Sequence, residues 1–249
     1  MDNKDKVPFT SHLEELRNRL ITAFISVAVG FVVSYGFKEK LFEILAAPLI
    51  DAMQVGDKLV FTGLPEAFFT YLKVAFLSGI MLSSPILIYQ FWMFVAPGLY
   101  KKERSILIPI VILSTFFFLG GSLFGYFVVF PFGFKFFLGF ASDSIRALPS
   151  MKEYLSFSAK LLLAFGLVFE LPIVITFLAR LGIVSVDFLK KNRRYALLLF
   201  FIGAAIITPP DVVTQIMMAL PLMVLYEISI IGARVFGKNK EDINSPETS

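Results

Sequence analysis

The chain has no cysteine and a single histidine, His12. Without cysteine there is no disulfide, no thiolate metal site and no cysteine nucleophile. One histidine excludes a multi-histidine metal centre. Charge is scarce as well: Asp, Glu, Lys and Arg make up 17% of the 249 residues, against 57% hydrophobic residues and a mean hydropathy of +0.79. A soluble domain of this length carries more charge and shorter uncharged runs. There is no phosphate-binding glycine loop and no nucleophile constellation, so the residues point to no enzyme. The net charge of +4 is too small to indicate a nucleic-acid partner. In a membrane protein the placement of Lys and Arg matters more than their sum. No metal and no cofactor is expected.

Apolar sequence is what the chain has in quantity, including 30 Phe suited to lipid-facing and interhelical packing. Long charge-free runs read as membrane helices, and the expected fold class is all-α, a polytopic membrane protein. The first run is Leu20–Phe37. The second is Val74–Tyr100, with Pro85 and Pro97 placed to kink or end it. The third, Ser105–Phe134, exceeds one span, which calls for tilt or for an end near Pro131 outside the core. The fourth, Leu161–Ala179, is interrupted by Glu170.

The last apolar stretch, Tyr195–Tyr226, holds one charge, Asp211, within Thr208-Pro209-Pro210-Asp211. The second proline lacks an N–H and pushes Pro209 out of the helical region. An unpaired carboxylate at mid-bilayer costs about 3 kcal/mol or more. The stretch therefore reads as two short helices joined by a polar turn, Tyr195–Ile207 and Val212–Tyr226. Each would be about 20–23 Å long against about 30 Å of hydrocarbon.

Six transmembrane helices put both termini on one side. The segments on that side are 1–19, 101–104, 180–194 and 227–249, and they hold the greater share of the 23 Lys and Arg. The positive-inside rule then makes both termini cytoplasmic. The first residues mix acids and bases and show no cleavage site, so the first span reads as a retained anchor. The expected organisation is a cytoplasmic amphipathic helix over 1–19, a six-helix transmembrane domain over 20–226 and a cytoplasmic polar tail over 227–249. The outer loops, 38–73 and 135–160, read as structured. Leu41–Ile50 and Ala67–Lys73 look like amphipathic surface helices, and Tyr154, Leu155 and Phe157 form a similar stripe. Gly121-x-x-x-Gly125 is a loose signal of close helix packing.

Four carboxylates stand out. Ser11-x-x-Glu14 is a capping-box pattern that starts a helix near Ser11. On that helix the plain reading pairs Glu15 with Arg19 at i,i+4 and Glu14 with Arg17 at i,i+3. Glu103 lies in a short basic loop, where it reads either as a solvated helix-start acid or as one wall of an acidic pocket. Glu15 and Glu103, on the same side, have the chemistry to hold two guanidiniums in bidentate fashion. Glu170, mid-span, is a functional candidate, balanced against a protonated acid bonded within the helices. Pro172 frees a carbonyl one turn earlier, a route for water. Asp211 reads first as a helix cap, and Gln215 as a polar group able to bond a neighbouring helix.

Together these segments resemble the TatC family, the multi-spanning subunit of the twin-arginine protein translocase. The matching pieces are Ser11-His12-Leu13-x-Glu15-Leu16-Arg17-x-Arg19, Ala47-Pro48-Leu49, Tyr89-Gln90-Phe91-Trp92-x-Phe94-x-Ala96-Pro97-Gly98-Leu99-Tyr100-x-x-Glu103-Arg104, Tyr126-Phe127-x-x-Phe130-Pro131, Phe165-Gly166-x-x-Phe169-Glu170-x-Pro172 and Thr208-Pro209-Pro210-Asp211-x-x-x-Gln215. Each is loose alone, and in this order the set is specific. Ser105 departs from it, standing where many relatives carry a second basic residue.

The resemblance implies a receptor in the bacterial cytoplasmic (inner) membrane that recognises twin-arginine signal peptides on folded cargo. Glu15 and Glu103 would contact the arginine pair, and Arg17, Phe94 and Pro48 would support the binding surface. The last two spans, with Gln215 and Thr208, would dock single-span subunits of TatA or TatB type. Glu170 and Asp211 would be membrane-embedded polar groups in contact with lipid or water. The implied energy source is the proton motive force, and the implied assembly is a homo-oligomer within the receptor complex. Six helices of about 10 Å diameter cannot enclose a folded protein, so partners must supply the passage. The alternative from a different class is a proton-coupled small-solute secondary transporter using Glu170 as the proton carrier.

Overall fold

A computed structural model of the chain describes residues 9–54, 59–61, 63–95, 107–141, 147–207 and 212–237. The elements in chain order are α1 (Phe9–Tyr35), α2 (Lys38–Ile50), α3 (Glu66–Val95), α4 (Leu107–Phe124), a π-helical turn (Gly125–Val129), α5 (Phe130–Leu138), α6 (Met151–Phe169), α7 (Leu171–Arg180), α8 (Val186–Lys191), α9 (Arg193–Ile207) and α10 (Val212–Phe236). Among the described residues the one β pairing is an isolated parallel bridge between Val60 and Ser150. The all-α expectation holds. Among the described residues five stretches are long and apolar enough to cross a membrane: Leu13–Tyr35, Glu66–Val95, Leu107–Leu138, Met151–Arg180 and Val212–Phe236. Helix α9, with 15 residues, is about 22 Å long.

The chain divides into two compact units, one of residues 1–47 and 61–116, the other of 48–60 and 117–249. In the first, α1 and α3 pack antiparallel and bring their backbones into contact at Gly30 and Gly79. A Cβ built on Gly30 would stand 2.6 Å from the Gly79 carbonyl oxygen, and one built on Gly79 would stand 2.6 Å from the Phe31 nitrogen. Next to this contact the Ser83 hydroxyl donates to the Ser26 carbonyl at 2.7 Å. Membrane helices approach this closely only at small residues, where dispersion and polar bonds replace the missing hydrophobic drive. Phe42 of α2 meets Tyr71 of α3 edge to face, with centroids 5.8 Å apart. Helix α3 therefore starts at Glu66, and Ala67–Lys73 forms its first turns rather than a separate surface helix.

Helix α3 also runs through Pro85, where the sequence allowed an end. Proline removes the bond to the carbonyl four residues back. That carbonyl belongs to Met81, and the Ser84 hydroxyl donates to it at 2.8 Å. The α3–α4 contact is fixed by Trp92, whose indole N–H donates to the buried Ser114 hydroxyl at 2.9 Å. Trp92→Phe should lower stability by about 1 kcal/mol, because it strands a buried hydroxyl. Adding Ser114→Ala should recover part of the loss. Melting curves followed by circular dichroism would read both.

In the second unit the polar and small residues again sit at helix contacts. A Cβ on Gly121 would stand 2.5 Å from the Phe165 carbonyl oxygen, and one on Gly166 would meet Phe118 at 2.8 Å. The Ser122 hydroxyl donates to the Leu162 carbonyl at 3.1 Å. The Gly121-x-x-x-Gly125 signal thus marks a real close approach. Pro131 does not end the third apolar run. It falls in the first turn of α5, and the widened π turn before it spares the ring a clash with the preceding carbonyl. Pro172 splits the fourth run into α6 and α7 at Glu170. At this break the Glu170 backbone N–H bonds to the Leu167 carbonyl at 3.2 Å, and the Glu170 carbonyl accepts from Ile173 at 3.0 Å and Val174 at 2.9 Å. Helix α7 ends at Gly182, φ 75°, with Ile183 N–H bonded to Leu178 O and Gly182 N–H to Ala179 O. Only glycine takes that left-handed position at no steric cost.

The sequence anticipated two short helices at the end, and this is half corrected. Helix α9 is short, but α10 continues past Tyr226 for 25 residues in all. Glu227 ends the apolar run without ending the helix. Ser229, Ile230 and Ala233 stay buried beyond it, and Arg193 at the start of α9 pairs with Glu227 at 2.7 Å. A charge marks where apolar surroundings stop, whereas a helix continues as long as its packing face does.

Candidate functional site

The α1–α3 contact sets a register. From Gly30 and Gly79, the pairs step along both helices in opposite directions to Ser26 with Ser83 and then Arg19 with Gln90. One turn further the same register brings Glu15 level with Phe94. At this end an open groove of about 460 Å³ is lined by Glu14, Glu15, Asn18, Arg19, Thr22 and Gln90. Its floor is a polar relay. Glu15 Oε1 accepts from Arg19 Nε at 3.0 Å and also from Arg19 Nη2. Arg19 Nη1 donates across to Gln90 Oε1 at 3.3 Å. The Glu15–Arg19 pair expected from i,i+4 spacing is therefore present, with a second helix recruited to it.

The side chains of Arg19 and Glu15 are 20% and 31% exposed. Water still screens such a pair, and it holds the helix together by no more than about 1 kcal/mol. Its interest lies in chemistry: among the described residues Glu15 Oε2 accepts no hydrogen bond. The groove therefore presents a carboxylate oxygen beside the carboxylate of Glu14, an arrangement suited to a cationic, hydrogen-bond-donating ligand.

Other expected residues fall elsewhere. Arg17 is exposed and does not line the groove. Two residues along a helix turn the side chain by about 200°, so Arg17 and Glu15 face apart. Among the described residues Glu14 and Arg17 form no ion pair. Both are solvated, and such pairs gain little. Pro48 lies in the last turn of α2, reached only after α1 has risen about 30 Å from Glu15 to Tyr35. It is not among the groove's lining residues. Glu103, Thr208 and Asp211 lie outside the described residues. Glu170 sits at the α6–α7 break with its Oε1 buried. Gln215 Nε2 donates to the Phe201 carbonyl at 2.9 Å, closing the α9–α10 pair within the chain. Its Oε1 accepts nothing among the described residues.

A family profile described as Sec-independent protein translocase protein (TatC) matches residues 11–221. The chain belongs to the TatC family. A TatC protein of Desulforapulum autotrophicum is 70% identical over 238 residues, covering 96% of this chain and 88% of that protein. The TatC protein of Escherichia coli K12 is 37% identical over 245 residues, covering 97% and 95% of the two chains. A crystal structure of the twin-arginine translocase receptor TatC superposes with a TM-score of 0.81 at 39% identity, over 90% of this chain and 99% of that one.

Membership in the TatC family makes the chain a membrane-bound protein-translocase component and not an enzyme. The small-solute transporter reading of Glu170 finds no support among these relatives. Within this TatC chain the sequence reading missed Gln90, Asn18 and Thr22 as groove residues. Gln90 carried a signal: it is an amide in an otherwise apolar run, and such groups find polar partners across helices. Asn18 and Thr22 carried none beyond sharing a helical face with Glu15 at i+3 and i+7.

Proposed function

We propose that this chain is the receptor subunit of a twin-arginine translocase and that the groove beside Glu15 takes the arginine pair of the signal peptide. The observation that carries this is the open Oε2 of Glu15 in a groove of about 460 Å³ with Glu14 beside it. A guanidinium forks onto a carboxylate in a way that an ammonium cannot. Phe94, level with Glu15 on α3, supplies apolar surface for the residues flanking the pair. Glu103 serves as the second acceptor; it stands four residues before Leu107 at the start of α4. Arg17 acts on the shape of this surface from outside the groove; Pro48, past the far end of α1, takes its part elsewhere than in the groove.

The chain crosses the bacterial inner membrane six times, with α9 as the short fifth span and both termini cytoplasmic. Segment 1–19 and the tail from 227 lie on that side. TatA- and TatB-type single-span subunits dock on the apolar faces of α9 and α10. The exposed Leu198, Leu199 and Ile202 of α9, together with the open Oε1 of Gln215, support that docking, and Thr208 adds to it by resemblance. Copies of the chain assemble in the receptor complex, cargo moves folded, and the proton motive force drives it. Glu170 and Asp211 meet water or headgroups where α9 is too short for a full bilayer. A lipid-resolved structure with full bilayer thickness around α9 would contradict this last point.

The test of the receptor assignment is binding of a labelled twin-arginine peptide to the purified protein in lipid nanodiscs. Glu15→Gln and Glu103→Gln should each weaken binding about tenfold, the scale of one charge-assisted bond, while the melting temperature stays put. Unchanged affinity in both variants would sink the assignment.

A further inference from the structure

Arg19 holds Glu15 in the manner expected of a ligand. Two of its nitrogens, Nε and Nη2, converge on one oxygen, Oε1, and its third, Nη1, is anchored on Gln90 Oε1 at 3.3 Å. Two donors fill the accepting capacity of that oxygen. Glu15 Oε2, which faces no donor among the described residues, is the only half of the carboxylate left. A ligand offering one N–H can use Oε2 and leave Arg19 in place. A guanidinium that forks onto both oxygens must dislodge Arg19 from Oε1.

We infer that Arg19, held back by Gln90, occupies the guanidinium seat of Glu15 in the free receptor and competes with the incoming signal-peptide arginine. The inference rests on the reading of Glu15 as an arginine acceptor. It makes Arg19 and Gln90 positioning residues that set affinity and selectivity without touching the peptide. The cross-helix bond to Gln90 gives the displaced Arg19 somewhere to stay, so that it swings off Oε1 and remains on α3. The competition is modest, because a pair this exposed is weak.

The experiment uses the full chain in lipid nanodiscs and two labelled peptides, one with Arg-Arg and one with Lys-Lys at the recognition position. Arg19→Gln should tighten Arg-Arg binding roughly two- to fivefold and Lys-Lys binding less, widening the preference for arginine. Arg19→Lys keeps the charge but loses the fork and the reach to Gln90, and should tighten Arg-Arg binding by a smaller factor. In a Glu15→Gln background Arg19→Gln should change nothing.

Equal tightening for both peptides would mean simple loss of a repelling charge and would overturn the proposal. So would weaker or unchanged Arg-Arg binding in Arg19→Gln, or an Arg19→Lys variant that behaves as wild type. Failure of the underlying receptor reading looks different: Glu15→Gln and Glu103→Gln would leave Arg-Arg affinity unchanged whatever occupies position 19. Melting temperatures check that each variant is folded, and Arg19→Lys stands in should Arg19→Gln fail to fold.

Discussion

Gly79→Ala should destabilise the protein by about 2 kcal/mol and weaken twin-arginine peptide binding with it. In most helices the same change is favourable by about 1 kcal/mol, since alanine is the better helix former. Here the added Cβ would lie 2.6 Å from the Phe31 nitrogen and 2.9 Å from the Phe31 Cα. These are backbone atoms, and no rotamer change relieves the overlap. The helices must separate, which also lengthens the Ser83–Ser26 bond and the Arg19–Gln90 reach further along the same seam. Thermal melting in detergent should fall by roughly 4–8 °C. A melting temperature at or above wild type would show that the α1–α3 seam is not closed at Gly79.

Two adjacent glycines give the second large effect and its own control. A Cβ on Gly121 would meet the Phe165 carbonyl oxygen at 2.5 Å and the Phe169 ring at 2.6 Å, whereas a Cβ on Gly120 meets nothing within 4 Å. Gly121→Ala should therefore cost about 2 kcal/mol and Gly120→Ala should be neutral or stabilising by up to about 1 kcal/mol. Both changes have the same effect on the unfolded chain and on helix propensity. Their difference isolates the α4–α6 contact. Melting temperatures of the two single variants, measured side by side, decide it, and equal shifts would refute the packing argument.

These contacts bear on function because the groove has no scaffold of its own. Glu15 and Arg19 come from α1 and Gln90 from α3. Their meeting depends on a seam built from Gly30, Gly79, Ser26 and Ser83, about two to four turns away. A site on rigid helices keeps its geometry as well as the seam that aligns them, and a shift of about 1 Å there is enough to loosen a bidentate contact.

The sequence by itself determined the helices and most of their breaks. Apolar runs are local, and so is the damage done by a proline or a mid-span carboxylate. That is why the separation of α9 from α10 was legible, and the Glu15–Arg19 pair too, whereas Leu161–Ala179 was kept as one span and its division into α6 and α7 at Glu170 came only with the structure. Local rules also misread some points. They set a helix end at Glu227, a charge that the helix passes, and a surface helix at Ala67–Lys73, which belongs to α3.

Only the tertiary structure decided what faces what. Gln90 reaches Arg19 across 71 positions of sequence, and Gln215 reaches the Phe201 carbonyl across 14. Arg17 turns away from Glu15 although both sit in one motif. Periodicity tells which face of a helix is apolar, but in a membrane helix nearly every face is. The choice of partner and register then falls to a few glycines and serines that let two backbones touch, and their meaning appears only when the second helix is in place.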